Sequence, residues 1–320
     1  MIDILMMLVG LVLLFFGGEG LIKGAVSLAR NFGLSKLLVS AVVVGFGTSM
    51  PEMTVSVGAA LKGASDIAVG NVVGSNIANI LLIVGLAAIL CPIFVSGSAV
   101  KRDAFVMLAA SLILCGLALT GRITFIAGFG MVAALIAYVA WSYHQDKKGG
   151  LETAAHIEED IEGESQLSRL KAVVYALGGL VLLIGGAYLL VEGAVSIARS
   201  FGIPEAVIGL TIVAVGTSLP ELATSVVAAM RRHSDVIIGN IVGSNIFNIL
   251  AILGVTAMIS PIPVAAQMAT YDVWIMLGVA AFLSTYLLRG LTIGRKSGLA
   301  MLGAYGVYTI WLYMSGMLFF

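Results

Sequence analysis

The amino-acid sequence repeats itself once, at a fixed offset of 169 residues. The tetrapeptide Gly-Ala-Val-Ser at 24–27 recurs at 193–196, and Pro92 recurs as Pro261, with no gap needed between those limits. Roughly half of the aligned positions are identical, more than a shared apolar composition would give two unrelated segments. The chain is therefore an internal duplication, and its fold is built from two equivalent units.

Both copies of the repeat consist largely of long apolar runs. Hydrophobic residues make up 60% of the 320 residues, charged residues only 11%, and the mean hydropathy is +1.10. Because a helix needs about 20 apolar residues to cross a bilayer, the sequence predicts an all-α polytopic membrane protein and excludes a soluble enzyme. The runs predict ten helices, near 3–29, 35–61, 67–90, 103–120, 123–143, 170–198, 204–230, 236–259, 270–288 and 297–318.

One hydrophilic segment divides the chain into a first five-helix repeat at 1–145, an acidic linker at 146–168 and a second five-helix repeat at 169–320. The acids of the linker lack the spacing of an EF-hand loop, so a solvated connection is favoured over a calcium-binding regulator. An odd number of helices in each repeat makes the second copy enter the membrane from the opposite side. The duplication therefore predicts two inverted repeats.

The distribution of basic residues predicts the orientation. With ten helices both termini share a side, and the loops on that side hold only Lys62, Arg122 and Arg199, whereas the other side takes 14 of the 17 lysines and arginines. By the positive-inside rule, the termini lie outside and the acidic linker is cytoplasmic, most simply in the cell membrane. The 17 basic residues balance 17 acidic ones, so no nucleic-acid partner is expected.

The second helix of each repeat contains a segment that does not fit the middle of a spanning helix. Residues 45–52 read Gly-Phe-Gly-Thr-Ser-Met-Pro-Glu, and residues 214–221 read Ala-Val-Gly-Thr-Ser-Leu-Pro-Glu. Proline inside a helix costs about 3 kcal/mol, and broken backbone at membrane depth occurs where it lines protein or water. One such break could be a structural kink. Two breaks at equivalent positions of the repeat predict broken helices at the core that form a site.

Each of these segments ends in a membrane-embedded glutamate, Glu52 or Glu221. A charged side chain at the centre of a spanning helix costs on the order of 2.5 to 3.5 kcal/mol and usually marks an ion or proton path. The neighbouring hydroxyls and the carbonyls freed by the breaks add only oxygen ligands. Such a set favours calcium and sodium over zinc or copper.

The third and eighth helices share a second motif, Gly-Asn-x-x-Gly-Ser-Asn-Ile-x-Asn. Ser75 and Asn79 are four residues apart and share one helical face, as do Ser244 and Asn248. The glycines of the motif are spaced for close helix packing. The motif therefore predicts both close packing, through its glycines, and ligation, through its amides and hydroxyls.

The other acids in the apolar runs are predicted to be structural. Asp66 and Asp235 begin helices and are expected to cap free amides there. Glu19 and Glu192 are not equivalent in the repeat, which argues against a symmetric ligand role, and the spacing of Glu19 and Lys23 predicts an internal charge match. Neither the histidines nor the two cysteines have metal-ligand spacing, so no cofactor is expected.

With both motifs present twice and in order, the chain resembles the cation/calcium exchanger superfamily, specifically its sodium/calcium exchanger type with two α-repeats. The resemblance covers most of the chain. It implies ten helices, an outward N-terminus and a central cluster of ion sites built from the four α-repeat helices. It also assigns the conformational movement to the long helices near 3–29 and 170–198.

Carried over position by position, the resemblance implies a set of ion ligands. Calcium would bind Glu52 and Glu221 with carbonyl or hydroxyl help from Thr48 and Thr217, and sodium would share them. The remaining sodium ligands would be Ser49, Ser75, Ser218, Ser244, the carbonyls of Gly45 and Ala214, and, in the middle of the cluster, Asn79 and Asn248.

Two features of the motifs bear on the coupling ion. Some members of the superfamily, including potassium-dependent ones, carry an acid at the position of Asn248, so asparagine in both repeats argues against potassium co-transport. The proton-coupled branch usually replaces the Thr-Ser-x-Pro segment with one that contains asparagine. Both repeats keep Thr-Ser-x-Pro, which favours sodium.

Two ionised glutamates give the site a charge of about minus two, which one calcium ion neutralises and three sodium ions exceed by one. Exchange at that ratio would be electrogenic, whereas two protons in place of sodium would make it electroneutral. A cation channel usually builds its filter from symmetric subunits, and an intramembrane enzyme needs a nucleophile and base that the spanning runs lack. A secondary-active antiporter with alternating access is the favoured function, with the oligomeric state left open.

Overall fold

A computed structural model describes residues 2–64, 66–148, 167–201 and 214–318, and these residues are almost entirely helical. The predicted linker lies almost wholly outside them, as do residues 204–213 of the predicted helix 204–230. A short antiparallel ribbon pairs β1 (Arg122–Ile123) with β2 (Ile262–Pro263). The helices are α1 (Ile2–Phe32), α2 (Lys36–Thr48), α3 (Met50–Leu61), α4 (Asp66–Ala78, continued by Asn79–Val84 and Gly85–Leu90), α5 (Ser98–Leu119), α6 (Phe125–Lys148), α7 (Arg169–Ser200), α8 (Ala214–Thr217), α9 (Leu219–Met230), α10 (Ser234–Ile259), α11 (Met268–Arg289) and α12 (Arg295–Leu318).

Seven of the described helices are long and apolar enough to cross a membrane, or eight if α2 and α3 form one bent span. Their outer faces carry large exposed apolar side chains, such as Leu5, Phe16 and Val181. Lipid accounts for such surfaces, because a water-soluble protein rarely leaves continuous apolar area exposed. The chain is a multi-pass membrane protein, and the count of ten spans stays a prediction.

The longest helices, α1 and α7, cross each other through glycines. A Cβ added at Gly10 would lie 2.7 Å from the Gly186 carbonyl oxygen, and one added at Gly17 would lie 2.9 Å from the Gly179 oxygen. The contact partner moves back along α7 as the position advances along α1, so the two helices are antiparallel. They are also equivalent in the sequence repeat, since 169 residues separate Gly10 from Gly179.

The two helices that carry the asparagine motif are the most enclosed. Every residue in the most apolar window of α10 is buried, and so is 72% of that in α4, against 28% in α1. A Cβ at Gly239 of α10 would lie 2.7 Å from the Leu37 carbonyl oxygen, and Gly243 lies equally tightly against Ala41. The predicted glycine packing is confirmed for α10, which it brings against α2. It is wrong for α4, because a Cβ at Gly74 would meet nothing within 4 Å and one at Gly70 would meet only the end of the Met268 side chain.

The predicted helix breaks are confirmed at Ser49 and Ser218. Ser49, with φ −82° and ψ 6°, separates α2 from α3, and the two segments meet at a bend of 44°. Ser218, with φ −89° and ψ 9°, separates α8 from α9 in the same way. Pro51 and Pro220 lie in the first turn of the following helix, where a missing N–H costs nothing.

Candidate functional site

Glu52 and Glu221 lie in the first turns of α3 and α9, directly after the two breaks, and both are fully buried. Each is held by a serine of the other repeat. Ser218 Oγ donates to Glu52 Oε1 at 3.0 Å, and Ser49 Oγ donates to Glu221 Oε1 at 3.0 Å. The free amides of a first helical turn also favour a nearby negative charge. The breaks therefore place two buried carboxylates where each half of the chain fixes the carboxylate of the other half.

One face of α10 lies alongside the first break. Asn240, Ser244 and Asn248 follow one another at spacings of four residues, which places them on that face. Asn240 Oδ1 accepts from Thr48 Oγ1 at 3.3 Å, and Ser244 Oγ donates to the Gly45 carbonyl at 3.2 Å. The equivalent face of α4 carries Asn71, Ser75 and Asn79.

Asn71 and Asn240 are site residues that the sequence analysis did not select. Asn240 Nδ2 donates to the Glu221 carbonyl oxygen at 3.4 Å and to Ser225 Oγ at 3.1 Å. Asn71 Nδ2 makes the equivalent bonds, to the Glu52 carbonyl oxygen at 3.2 Å and a serine Oγ at 3.0 Å. They hold the backbone of the two glutamates. Their occurrence in both copies of the motif is the signal that could have identified them.

Asn76 and Asn245 were also not predicted from the sequence to be site residues. They orient the two asparagines that were predicted, Asn79 and Asn248. Asn79 Nδ2 donates to Asn245 Oδ1 at 3.0 Å, and Asn248 Nδ2 donates to Asn76 Oδ1 at 3.0 Å. Because the amide nitrogen of each pair is committed to this bond, the amide oxygen is turned away from it. The carbonyl oxygens of Asn79 and Asn248 are thereby left to face another partner.

Four buried oxygens of this cluster have no hydrogen-bond donor: Glu52 Oε2, Glu221 Oε2, Asn79 Oδ1 and Asn248 Oδ1. A buried acceptor without a partner costs about 1–3 kcal/mol, and four together, related in pairs by the repeat, call for a cation. All four are hard oxygen ligands of the type that calcium and sodium prefer. The described residues include no group of three or more His, Cys, Asp or Glu side chains that could hold a metal.

The other selected positions lie close to the cluster. Ser75 is buried one turn before Asn79, and Thr217 is buried beside the second break. Ala214 is the first described residue of α8, and its side chain lies outside the described part. The structure therefore brings Gly45, Thr48, Ser49, Ser218 and Ser244 into direct contact with one another or with the glutamates, and a side-chain hydrogen bond joins Thr217 to Glu52. Ser75 and Ala214 lie close to these residues in sequence.

The predicted partner of Glu19 is wrong. Glu19 pairs with Arg231 at the end of α9, through a bond of 2.9 Å from Nε and a second contact from the other nitrogen. Lys23 instead lies over the Tyr175 ring, 5.4 Å from its centre. The helix spacing predicted a local partner, Lys23. In the structure the partner is Arg231, which is more than 200 residues away in the sequence. Asp235 lies in the first turn of α10, as expected.

Comparison with known proteins assigns these features to one family. The sequence profile of the family described as "Sodium/calcium exchanger protein" matches residues 2–144 and 171–314. The chain is 39% identical, over 90% of its length and 89% of the relative, to a protein that carries the name antiporter CaxA in Alkalimonas amylolytica. It is 31% identical to the sodium/calcium exchanger MaX1 of Methanosarcina acetivorans, over 98% of this chain and 99% of that one.

The fold matches a solved exchanger. The structure of the sodium-calcium exchanger NCX_Mj soaked with Na⁺ and Sr²⁺ superposes with a TM-score of 0.83 at 30% identity, covering 96% of this chain and 97% of that one. The match extends over the broken helices, the two motif helices and the crossing pair α1 and α7.

Proposed function

The chain belongs to the sodium/calcium exchanger protein family, and we propose that it is a secondary-active antiporter that exchanges calcium for sodium at the oxygen cluster between its two halves. The family membership makes it a membrane cation exchanger. The four unpartnered oxygens support the finer assignment, because buried oxygen acceptors without donors are the ligands that calcium and sodium prefer. MaX1 and NCX_Mj, to which the chain is similar along nearly its whole length, are named as sodium/calcium exchangers.

The proposed calcium ligands are the carboxylates of Glu52 and Glu221, with oxygen atoms of Thr48 and Thr217. Sodium ions use the same carboxylates. The remaining sodium ligands are Ser49, Ser75, Ser218, Ser244, the carbonyls of Gly45 and Ala214, and the amide oxygens of Asn79 and Asn248. The hydrogen bonds that orient the four unpartnered oxygens support this set, since each bond points one oxygen away from its protein partner.

The proposed architecture is ten helices in two inverted repeats joined by a cytoplasmic acidic linker, with both termini outside. The antiparallel crossing of the equivalent helices α1 and α7 supports inversion. The reciprocal bonds between Asn76 and Asn245 do so as well, because each amide donates to the backbone oxygen of the other at 3.3–3.4 Å. A two-fold axis between the repeats, lying in the membrane plane, relates both pairs.

The proposed mechanism follows from the charge of the site. Calcium and sodium compete for the same two carboxylates, so one ion type has to leave before the other binds. A site charge of about minus two is balanced by one calcium and exceeded by three sodium ions, so exchange at that ratio moves net charge. Alternating access then needs only one part of the protein to move past a fixed site, and the crossing pair α1 and α7 is the part proposed to move.

The experiment that tests this proposal is uptake of radiolabelled calcium into proteoliposomes of the purified protein. An outward sodium gradient or an outward proton gradient is imposed in separate runs. We expect uptake with the sodium gradient alone, and faster uptake when the interior is made positive, because three sodium ions leaving for one calcium ion entering carry one net positive charge outward. Uptake driven only by protons would replace sodium by protons as the counter-ion, and uptake without either gradient would refute exchange.

A pair of variants tests the site itself. Glu52→Gln keeps the shape of the side chain but removes one charge, which leaves bound calcium uncompensated in a buried site. Leaving one charge unpaired costs about 3–5 kcal/mol, so we expect calcium affinity to fall by a factor on the order of 10² or more. Glu221→Gln should lower calcium affinity by a similar factor. Glu52→Asp, which retains the charge, should lose less, and thermal unfolding confirms that each variant is folded.

A further inference from the structure

A two-point ion pair joins α1 to α9 at one end of the molecule. The Arg231 guanidinium contacts both carboxylate oxygens of Glu19, which is the geometry that gives an arginine–carboxylate pair its strength and directionality. Beside the pair, a Cβ added at Gly18 would lie 3.1 Å from Val227 and 3.5 Å from the Ala223 oxygen. The two helices are therefore closed against each other at this end.

The equivalent positions at the other end are not closed. The repeat pairs Glu19 with Tyr188 and Arg231 with Lys62, and a tyrosine and a lysine cannot make a carboxylate–guanidinium pair. Tyr188 lines a cavity of about 700 Å³ between α3 and α7. The cavity extends to Pro51 and Thr217, which lie next to the two breaks. Access towards the site thus exists at this end.

The cavity and the ion pair belong to opposite ends of α1. The cavity is lined by Val195 and other residues of the second half of α7, and this half lies against the start of α1, since a Cβ at Gly193 would be 2.7 Å from the Asp3 oxygen. Glu19 lies in the second half of α1, level with Gly179, which contacts Gly17 and Leu21. The charge pattern predicts that the cavity end is outside and the ion-pair end is cytoplasmic.

We propose that the Glu19–Arg231 pair is a latch that closes the cytoplasmic end of the ion pathway and biases the protein towards the state open at the other end. The proposal rests on the proposed function in one respect, the alternation of access. In an inverted repeat, the second access state exchanges the conformations of the two halves. The contact between α1 and α9 must then open and break the Glu19–Arg231 pair, while the contact between α7 and α3 closes with Tyr188 and Lys62 at the equivalent positions.

The size of the bias follows from the exposure of the pair. The side chains are 26% exposed for Glu19 and 36% exposed for Arg231, so water screens their attraction. Pairs of this kind shift an equilibrium by about twofold to fivefold. Such a latch sets the resting distribution of the two states without preventing turnover.

Cysteine labelling of the purified protein tests the latch. The two free cysteines are first replaced by Cys91→Ser and Cys115→Ala, and a single cysteine is added by Ala223→Cys at the closed end or by Thr54→Cys at its equivalent in the cavity wall. The rate of labelling by a charged maleimide then reports the fraction of molecules open at each end. Glu19→Gln and Arg231→Gln are each expected to raise the rate at the Ala223→Cys position about twofold to fivefold.

Two controls decide the outcome. Exchanging the charges, with Glu19→Arg and Arg231→Glu together, should return the rate to its starting value, and Lys62→Gln at the equivalent position should change nothing. An unchanged rate in the single variants, or an equal change in Lys62→Gln, would overturn the latch. Labelling requires no ion transport, so a failure of the latch and a failure of calcium–sodium exchange are separate results.

Discussion

Replacement of Asn245 by leucine tests whether the orienting asparagines serve ion binding or only packing. Asn245 Oδ1 is the acceptor for Asn79 Nδ2 at 3.0 Å, and the Asn79 side-chain oxygen has no hydrogen-bond donor. Leucine fills the same space but accepts nothing. The Asn79 amide nitrogen then loses its partner in a site where Asn79 itself is 1% exposed.

The magnitude follows from what the amide can do after the change. A buried amide without a partner costs about 1–3 kcal/mol, and the Asn79 side chain can reduce that cost by turning its nitrogen towards the carboxylates. The turned amide presents N–H groups where a cation needs oxygen. Because 1.4 kcal/mol corresponds to about tenfold in binding, we expect cation affinity to fall by about 10- to 100-fold, the range typical for loss of a group that orients a metal ligand.

The assay is equilibrium binding of radiolabelled calcium and of sodium in competition, together with thermal unfolding in the absence of ions. Asn76→Leu is the matched variant, because Asn76 Oδ1 accepts from Asn248 Nδ2 at the same distance. The two variants should lose similar affinity. A lower melting temperature with unchanged affinity in both variants would refute the reasoning and assign the asparagines to packing alone.

Two further predictions concern the glutamate contacts and the helix packing. Ser218→Ala removes the donor to Glu52 Oε1 and should weaken calcium binding by about tenfold, since a hydrogen bond to a charged group contributes about 1.5–3 kcal/mol. Ser49→Ala should weaken calcium binding equally in the same assay. A large difference between the two variants would contradict the symmetry of the site. Gly243→Ala forces a methyl group into the Ala41 backbone and should lower stability by about 1–3 kcal/mol in thermal unfolding, whereas Gly130→Ala, with open space around it, should not.

The features that the sequence predicted are those that depend on local chemistry. Proline and glycine in an apolar run break a helix wherever it packs, so breaks within residues 45–52 and 214–221 could be predicted without knowing the fold, and the structure places them at Ser49 and Ser218. Because the chain is duplicated, each of these features occurs twice, at equivalent positions. A single buried glutamate is ambiguous, but two at equivalent positions, Glu52 and Glu221, predict a site.

The features that the sequence did not predict are contacts between the halves. Asn76 and Asn245 lie in the same motif as the selected residues, yet their role depends on a partner 169 residues away, across the interface. Glu19 has a reasonable local partner in Lys23, and the fold overrides it with Arg231. Asn79 and Asn248 also begin π-helical turns, which are common at functional sites but have no dependable sequence signal.

The proposed division into a fixed core and a movable pair, α1 and α7, is supported by how the two are packed. In the core, side chains of one repeat hydrogen-bond to the other at several points, including Ser49 with Glu221 and Asn76 with Asn245, so displacing one half would break several buried bonds together. Helices α1 and α7 instead meet through glycines and apolar side chains, as at Gly17 and Leu183, and such contacts are not directional as hydrogen bonds are. A displacement of this pair relative to the core therefore costs fewer specific contacts than a rearrangement of the site. We expect the ligand geometry to stay the same in both access states while the surfaces of α1 and α7 exchange their contacts.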